Sequence, residues 1–290
     1  MKQQKTLSPL ENLPLTCTRS GTCCHGNQVL INPWELGVLA QKINLTPSKF
    51  KELHTEFGGI RLKFNGKINN LNKQSCNLYS EKIGCSVHEN RPLVCRLFPL
   101  GRKIQENNSE YFFEGDQLPC LNECPDILLL PSLTVEKYLE EQKVKKHELA
   151  QDAYLEVTQN LADLALTLLL DTNLTKEEQA KTIQKWRYLG KISLNELHQS
   201  IDKEFIEYIL TPKIKIDEQD PINFIEKHNE LLQVELHNKY SVAKTSKDLI
   251  NVCVQTMNIS LFIASSIGAN TLELSEHWIE IAHINGVNQN

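Results

Sequence analysis

The sequence lacks the segments that mark a secreted or membrane-spanning chain. Its opening stretch, MKQQKTLSPLENLPL, has neither the apolar core nor the small-residue cleavage site of a secretory signal. No run of 18 apolar residues occurs without a polar interruption, which argues against a membrane span. We therefore expect a cytoplasmic protein, in a compartment where thiols stay reduced and disulfides are rare.

Strong positive charge and the common nucleotide-binding motifs are also missing. The formal net charge is −5, whereas non-specific nucleic-acid binding requires a strongly basic face. Neither common type of glycine-rich nucleotide loop occurs, and no Ser/His/Asp arrangement has a spacing that favours catalysis. With 40% apolar and 23% charged residues, the 290-residue chain has the composition of a globular protein and the length for two domains.

Cysteine, glycine and proline become scarce in the second half of the chain. Eight of nine cysteines, nine of twelve glycines and eight of eleven prolines precede residue 130. Residues 1–130 hold 15 basic and 12 acidic residues, whereas residues 131–290 hold 16 and 24. We predict an α+β protein with its boundary near Pro131. A small, irregular, cysteine-rich metal-binding domain (1–130) precedes an all-α helical bundle (131–290).

Local signals predict short elements in the first domain. Asn32 with Pro33 and Glu35 predicts a capped helix to about Ile43. The remaining predictions are a strand at Gln28–Ile31, a helix from Thr46-Pro47 to about Phe57, a hairpin turning at Asn65-Gly66, a short helix after Pro92 that carries Cys95, and a hairpin joining 103–105 to 111–113. In the second domain the predicted helices span Ser193 to about Leu210, a stretch opening at Asp220-Pro221, Lys247–Ile267 and Leu274–Ile284.

The cysteines carry the main functional prediction. Thiolates bind zinc or hold iron in sulfur-bridged clusters, and eight cysteines within 108 residues exceed what core packing explains. The predicted metal ligands are Cys17, Cys23, Cys24, Cys76, Cys85, Cys95, Cys120 and Cys124. Because neighbouring side chains point apart in extended backbone, Cys23 and Cys24 are not expected to hold one ion together. Cys253 is predicted to be a buried apolar residue.

Two blocks of this pattern match a known family. CTRSGTCCHG (residues 17–26) and CSVHENRPLVCRLFPL (residues 85–100) resemble the YkgJ-type cysteine-cluster proteins, which are described as zinc- or iron-chelating. Cys76 corresponds to the cysteine upstream of the second block, and Cys124 to a terminal Cys-Pro step. The resemblance spans about residues 15–126. It implies that the cofactor is zinc or iron, the latter including an iron–sulfur cluster.

The chain departs from the family pattern at two positions. Ser20 stands where the family has its second cysteine, and serine is a poor ligand for soft metals. Either a ligand is missing there, or Cys120 or His25 replaces it. His88 stands where tyrosine is usual, so it either packs or ligates. The arginines of the second block, Arg91 and Arg96, are expected to offset thiolate charge rather than to bind substrate.

Three functions remain open from the sequence. The first is a metal-binding protein without catalysis of its own, whose helical half meets a protein partner. The second is a metal- or cluster-dependent enzyme, because flagellin lysine N-methylases have a related cysteine pattern. The third is a structural zinc module that staples a small domain. A catalytic centre keeps an open coordination position, whereas a structural site is closed, so the geometry of the site separates these functions.

Overall fold

The structure is a computed structural model that describes residues 6–13, 21–105, 108–113, 129, 131–171 and 174–287. By its internal contacts the chain divides into two compact units. Met1–Val29 with Leu62–Glu148 forms the first, which we call the cysteine unit. Leu30–Arg61 with Leu149–Asn290 forms the second, the helical unit. The α+β class is confirmed, and the domain limits 1–130 and 131–290 stay a prediction.

Short antiparallel strands organise the cysteine unit. They are β1 (Thr6–Leu7), β2 (Asn12–Leu13), β5 (Tyr79–Ser80), β6 (Gly84–Cys85), β7 (Leu100–Gln105), β8 (Asn108–Phe113) and β9 (Leu133–Thr134). One sheet has the order β1-β8-β7, while β2 pairs with β9 and β5 with β6. The predicted hairpin across residues 103–113 is confirmed as β7–β8, with Leu100 opposite Phe113 and Gln105 opposite Asn108.

Among the described residues, two α-helices complete this unit, and a third begins in it. They are α3 (Leu93–Leu97), α4 (Val135–Glu141) and α5 (Lys145–Asp171). The short helix predicted after Pro92 is therefore confirmed as α3. A small apolar core joins sheet and helix, with Leu13, Leu100, Val135 and Tyr138 all buried.

The helical unit is built around one large apolar core. Its remaining helices are α1 (Pro33–Lys42), α2 (Pro47–His54), α6 (Lys176–Lys191), α7 (Leu194–Ser200), α8 (Lys203–Leu210), α9 (Pro221–Ser241), α10 (Ser246–Ser266) and α11 (Thr271–Ile284). Two short strands, β3 (Thr55–Glu56) and β4 (Arg61–Leu62), follow α2. The largest fully buried side chains of this core include Trp34, Tyr154, Trp186 and Phe262. Helix α6 packs against both α10 and α11.

Several helix starts follow the predicted capping chemistry. The Asn32 side chain accepts a hydrogen bond from Glu35 N, and Glu35 returns one to Asn32 N, which is a capping box. Thr46 caps α2, and Ser193 with Glu196 forms the capping box of α7. These caps satisfy backbone N–H groups that have no partner inside the helix.

Three element predictions are corrected by the structure. The strand expected at Gln28–Ile31 is reduced to one bridge, Leu30 opposite Arg61. Helix α2 ends at His54 rather than Phe57. The helix expected from Ser193 to Leu210 is broken at residues 201–202, where Asp202 N donates to the Gln255 side chain instead of continuing the helical ladder.

The hairpin predicted at Asn65-Gly66 is also wrong. A type I′ turn requires positive φ at both residues, and neither has it. Gly66 N instead donates to Ser75 O at 2.9 Å. A long-range backbone pairing has therefore overridden the local turn signal.

One described helix, α10, is long and apolar enough to cross a membrane by length and composition. Its most apolar window has a mean hydropathy of 1.4, and 72% of that window is buried inside the protein. A core helix of a globular domain passes the same test, so this is weak evidence for a membrane span.

Candidate metal centre

Glycine at position 21 shapes the first cysteine pair. Gly21 has φ +79°, and a Cβ atom there would lie 2.2 Å from Cε2 of Tyr79. The following residues, Thr22–Cys24, form a single 3₁₀ turn in which Cys24 N donates to Gly21 O at 2.8 Å. Only glycine combines this backbone conformation with so close an approach. The Gly in the first block is therefore required by geometry.

Backbone pairing brings Cys76 beside this turn. Cys76 N donates to Cys24 O at 2.7 Å, and Gly26 N donates to Gln74 O at 2.9 Å. His25 forms the bridge between these two bonds, opposite Ser75. Cys24 and Cys76, which are 52 positions apart in the sequence, are thus joined by a backbone hydrogen bond.

The second block brings two more cysteines to the same place. Cys85 lies in β6, opposite Tyr79 in β5, and follows Gly84 at φ +74°. Cys95 lies in α3, where its N donates to Pro92 O at 3.0 Å. Hairpin and helix therefore carry one cysteine each, as the spacing of the block requires.

These cysteines line one cavity of about 350 Å³. Five of the eight predicted ligands contribute to its wall, namely Cys23, Cys24, Cys76, Cys85 and Cys95. None of the six described cysteines forms a disulfide. The structure thus brings together thiols from four chain segments, which the sequence alone places up to 72 positions apart.

Burial and the charges of neighbouring cysteines raise the pKa values of two of these thiols. Burial raises the pKa of Cys76 to about 11, with the charge of Cys85 adding to the effect. Burial likewise raises the pKa of Cys95 well above its ordinary value, followed by the charges of Cys23, Cys76 and Cys85, while Arg91 lowers it. Since thiolates are the ligands, a metal ion bound here must displace protons.

The side chains do not yet converge on one point. Among the residues that the structure describes, no group of three or more His, Cys, Asp or Glu side chains is arranged to hold a metal ion. The thiols nevertheless line one cavity, and their charges act on one another. Thiols are donors that suit zinc or iron. Ligation requires the sulfur atoms to turn inward, which rotation between staggered rotamers allows.

The two arginines of the second block have different surroundings. Arg96 is 2% exposed and donates to three backbone oxygens: Arg91 O and Gln142 O, each at 2.8 Å, and Glu89 O at 2.5 Å. It therefore ties the loop between Cys85 and Cys95 to the end of α4. This contact explains the residue without any substrate.

Arg91 faces the cavity instead. Its Nη1 donates to His88 O at 2.7 Å and lies 3.0 Å from His88 Nδ1, and its Nη2 donates to the Gln142 side chain. Arg91 and His88 both line the cavity beside the thiols. The pKa effect on Cys95 agrees with this position, because a nearby cation favours the thiolate.

The two candidate histidines line different cavities. His88 lies at the cavity of the thiols. His25 lines a different, polar cavity of about 710 Å³, and its Nδ1 donates to Gly21 O at 3.0 Å. Its ring also contacts Tyr79 edge-on. His25 thus supports the turn before the cysteine pair.

The remaining predicted ligands, Cys17, Cys120 and Cys124, lie outside the described residues, as does Ser20. Cys253 lies in the helical unit, fully buried, with its Sγ donating to Ala165 O. Burial alone raises its pKa, as expected for a packing residue.

Sequence reasoning missed the support that α4 gives to this site. Gln142 accepts from Arg91 through its side chain and from Arg96 through its backbone. Tyr138 donates its hydroxyl to Phe98 O, at the end of the second block. Both residues lie beyond the cysteine blocks, and nothing in the local sequence signals the contact.

The comparison with known families agrees with the cysteine pattern. Residues 16–114 match the family model CxxCxxCC, described as a putative zinc- or iron-chelating domain. The resemblance to the cysteine-cluster family is thereby confirmed for these residues, and Ser20 stands at the second cysteine of the pattern. The match supports a metal-binding role. No curated protein and no solved structure matches the chain.

Proposed function

We propose that the cysteine unit binds zinc or iron through thiolates drawn from both cysteine blocks. The described ligand candidates are Cys23, Cys24, Cys76, Cys85 and Cys95. Cys17, Cys120 and Cys124 are proposed as further ligands from the sequence pattern. A set of this size suits an iron–sulfur cluster with spare thiols, or more than one metal ion.

One observation carries this proposal: five thiols from four chain segments line a single cavity. Clustered thiols that served only as small core residues would be dispersed among apolar neighbours, as Cys253 is. Here the charges of three cysteines reach Cys95. The donor type also favours zinc and iron over hard, oxygen-binding cations.

The cavity also bears on the kind of centre. A structural zinc site is closed by its four ligands, whereas a reactive site keeps an open position. A space of about 350 Å³ beside the thiols favours an accessible centre over a simple staple. This observation supports the second candidate, a metal- or cluster-dependent enzyme, of which a methyltransferase related to flagellin lysine N-methylases is the proposed example.

The first test is elemental analysis with a visible absorption spectrum, on protein purified without oxygen. Iron with sulfide and a broad charge-transfer band indicate a cluster. Zinc without colour indicates a chelating centre. Protein with neither metal, even after incubation with zinc or ferrous iron, contradicts the proposal.

Single variants test the ligand list. Cys23→Ser, Cys85→Ser and Cys95→Ser are each expected to lower metal content, because serine binds soft metals poorly. Cys253→Ser is the matched control, with an unchanged metal content expected. Full metal content in the Cys85→Ser/Cys95→Ser double variant would remove both from the list.

A cytoplasmic location and a protein partner for residues 131–290 belong to the same proposal. The location is proposed because clustered cysteines that hold a metal ion are typical of a compartment in which thiols stay reduced. The partner is proposed from the size of the helical half, and pull-down with the full chain as bait tests it.

A further inference from the structure

The cavity beside the cysteines has a second face that is apolar. Besides the cysteines, its wall includes Val29, Leu62, Phe64, Leu78, Val87 and Phe98. A volume of about 350 Å³ is roughly ten times the share of one water molecule and falls in the range of small-molecule pockets. A metal ion alone does not fill such a space.

The rim of the cavity is apolar and accessible. Ile83 and Val94, both of which line the cavity, are 73% and 43% exposed. Exposed apolar side chains at the mouth of a concave site favour the entry of a ligand with an apolar body. Ile83 stands in the turn between β5 and β6, directly before Gly84-Cys85.

One polar side chain in this wall, that of Arg91, has an N–H group without a hydrogen-bond partner among the described residues. Arg91 is 8% exposed, and two of its three guanidinium nitrogens donate to His88 and Gln142. Its Nε is buried and has no hydrogen-bond partner among the described residues. A buried charged donor without an acceptor is costly. Arg91 lines the cavity, so a change of rotamer that turns Nε toward the cavity lets an acceptor bound there satisfy it.

We propose that the cavity binds a small organic anion with an apolar body, such as an aromatic or branched aliphatic carboxylate. The apolar wall covers the body, and the carboxylate accepts a hydrogen bond from Arg91 Nε. A guanidinium–carboxylate bond is charge-assisted and stronger than a neutral one. The inference rests on the proposed metal centre only for its place, because the same cavity is lined by the thiols.

A metal-bound thiolate is the competing acceptor for the same N–H. In that arrangement Arg91 stabilises the metal centre and the cavity has no preference for anions. The two arrangements differ in ligand selectivity. They also differ in whether the metal-free protein binds a carboxylate.

Calorimetric titration of the full chain with benzoate tests the proposal, on metal-free and on zinc-loaded protein. Benzyl alcohol and benzylamine are the matched neutral and cationic probes, and acetate is the anion without an apolar body. We expect benzoate to bind at least about tenfold more tightly than each of the three. Equal binding of benzoate and benzyl alcohol, or no benzoate binding up to about 10 mM, would overturn it.

Variants separate the guanidinium from its supporting contacts. Arg91→Gln is expected to weaken benzoate about tenfold or more while leaving benzyl alcohol unchanged. Gln142→Ala removes an acceptor of Arg91 but keeps Nε, so we expect a smaller loss than in Arg91→Gln. Arg187→Gln is the control, because Arg187 belongs to the helical unit and pairs with Glu276, and we expect less than about a threefold change. If Arg91→Gln does not fold, the probe series on the unmodified chain decides alone. Zinc content is measured separately, so benzoate binding without metal binding contradicts only the metal proposal.

Discussion

Removal of the Arg96 guanidinium is expected to open the segment that carries Cys85 and Cys95. Two of its three donated bonds reach backbone oxygens within that segment, and the third reaches one at the end of α4. Each charge-assisted bond to a buried carbonyl contributes about 1.5 kcal/mol, so Arg96→Ala should destabilise the cysteine unit by about 4 kcal/mol. Arg96→Lys keeps the charge and about one bond, and an intermediate loss is expected.

The assay must report on the cysteine unit alone. All three tryptophans, Trp34, Trp186 and Trp278, lie in the helical unit. Tryptophan fluorescence therefore reports on the unfolding of the helical unit and not on the cysteine unit. The rate at which a disulfide reagent modifies Cys76, whose side chain is buried, follows local opening of the cysteine unit, and about 4 kcal/mol corresponds to a roughly thousandfold faster rate.

Arg187→Ala is the matched control for that assay. Arg187 makes a half-exposed ion pair with Glu276 at 3.1 Å, which is worth at most about 1 kcal/mol. Thiol modification and metal content should therefore stay unchanged in this variant. Unchanged thiol rates and full metal content in Arg96→Ala would refute the assignment of Arg96 as the residue that holds the second block in place.

Three further outcomes are expected. Gly21→Ala should lower both the stability and the metal content, because the added Cβ meets Tyr79. Gly268→Ala, at φ +82° with open space around it, should cost only about 1 kcal/mol of stability. Equal losses of stability in denaturant titrations of the two variants would contradict this. Burial lowers the pKa of His228 to about 4, so between about pH 6.5 and 4 only the unfolded chain takes up this proton, and the free energy of unfolding should fall by about 3 kcal/mol as pH falls through that window. His228→Gln should remove that part of the pH profile measured by chemical denaturation. Ser20→Cys should tighten zinc binding in competition with a chelator, and no change would mean that another group fills the position.

Helix starts and cysteine identities were predictable because their causes are local. A capping box such as Asn32 with Glu35 depends on residues three apart, so it can be read directly from the sequence. The requirement for glycine at position 21 comes from the close approach of Tyr79, which is visible only in three dimensions. The spacing of the two blocks indicated the resemblance to the cysteine-cluster family, because both blocks match the family pattern and occur in the same order.

Long-range contacts explain what could not be predicted. Asn65-Gly66 carries a strong hairpin signal, yet the backbone bond from Gly66 to Ser75 decides its conformation. Gln142 supports both arginines from 46 to 51 positions away, and no spacing rule covers such distances. The apolar wall of the cavity likewise draws on separate segments, so its residues read as ordinary core residues in the sequence.

The order of the chain couples the proposed metal centre to the helical unit. Cys23 and Cys76 belong to the cysteine unit, but the chain between them, 53 positions from end to end, includes Leu30–Arg61 of the helical unit. A metal ion that links both cysteines closes this loop, and a cross-link over such a length is worth up to about 4 kcal/mol through the entropy of the unfolded chain. Helix α1 inside the loop supplies Trp34 to the large apolar core.

Zinc should therefore raise the denaturation midpoint that tryptophan fluorescence reports for the helical unit. The Cys23→Ser/Cys24→Ser double variant should lower the increase, because Cys17 is then the one proposed ligand left ahead of the loop, and Cys253→Ser should retain it. If zinc-loaded and chelator-treated protein share one midpoint although elemental analysis finds bound zinc, the ligands lie on one side of the loop. In that case the two cysteine blocks do not form a common centre.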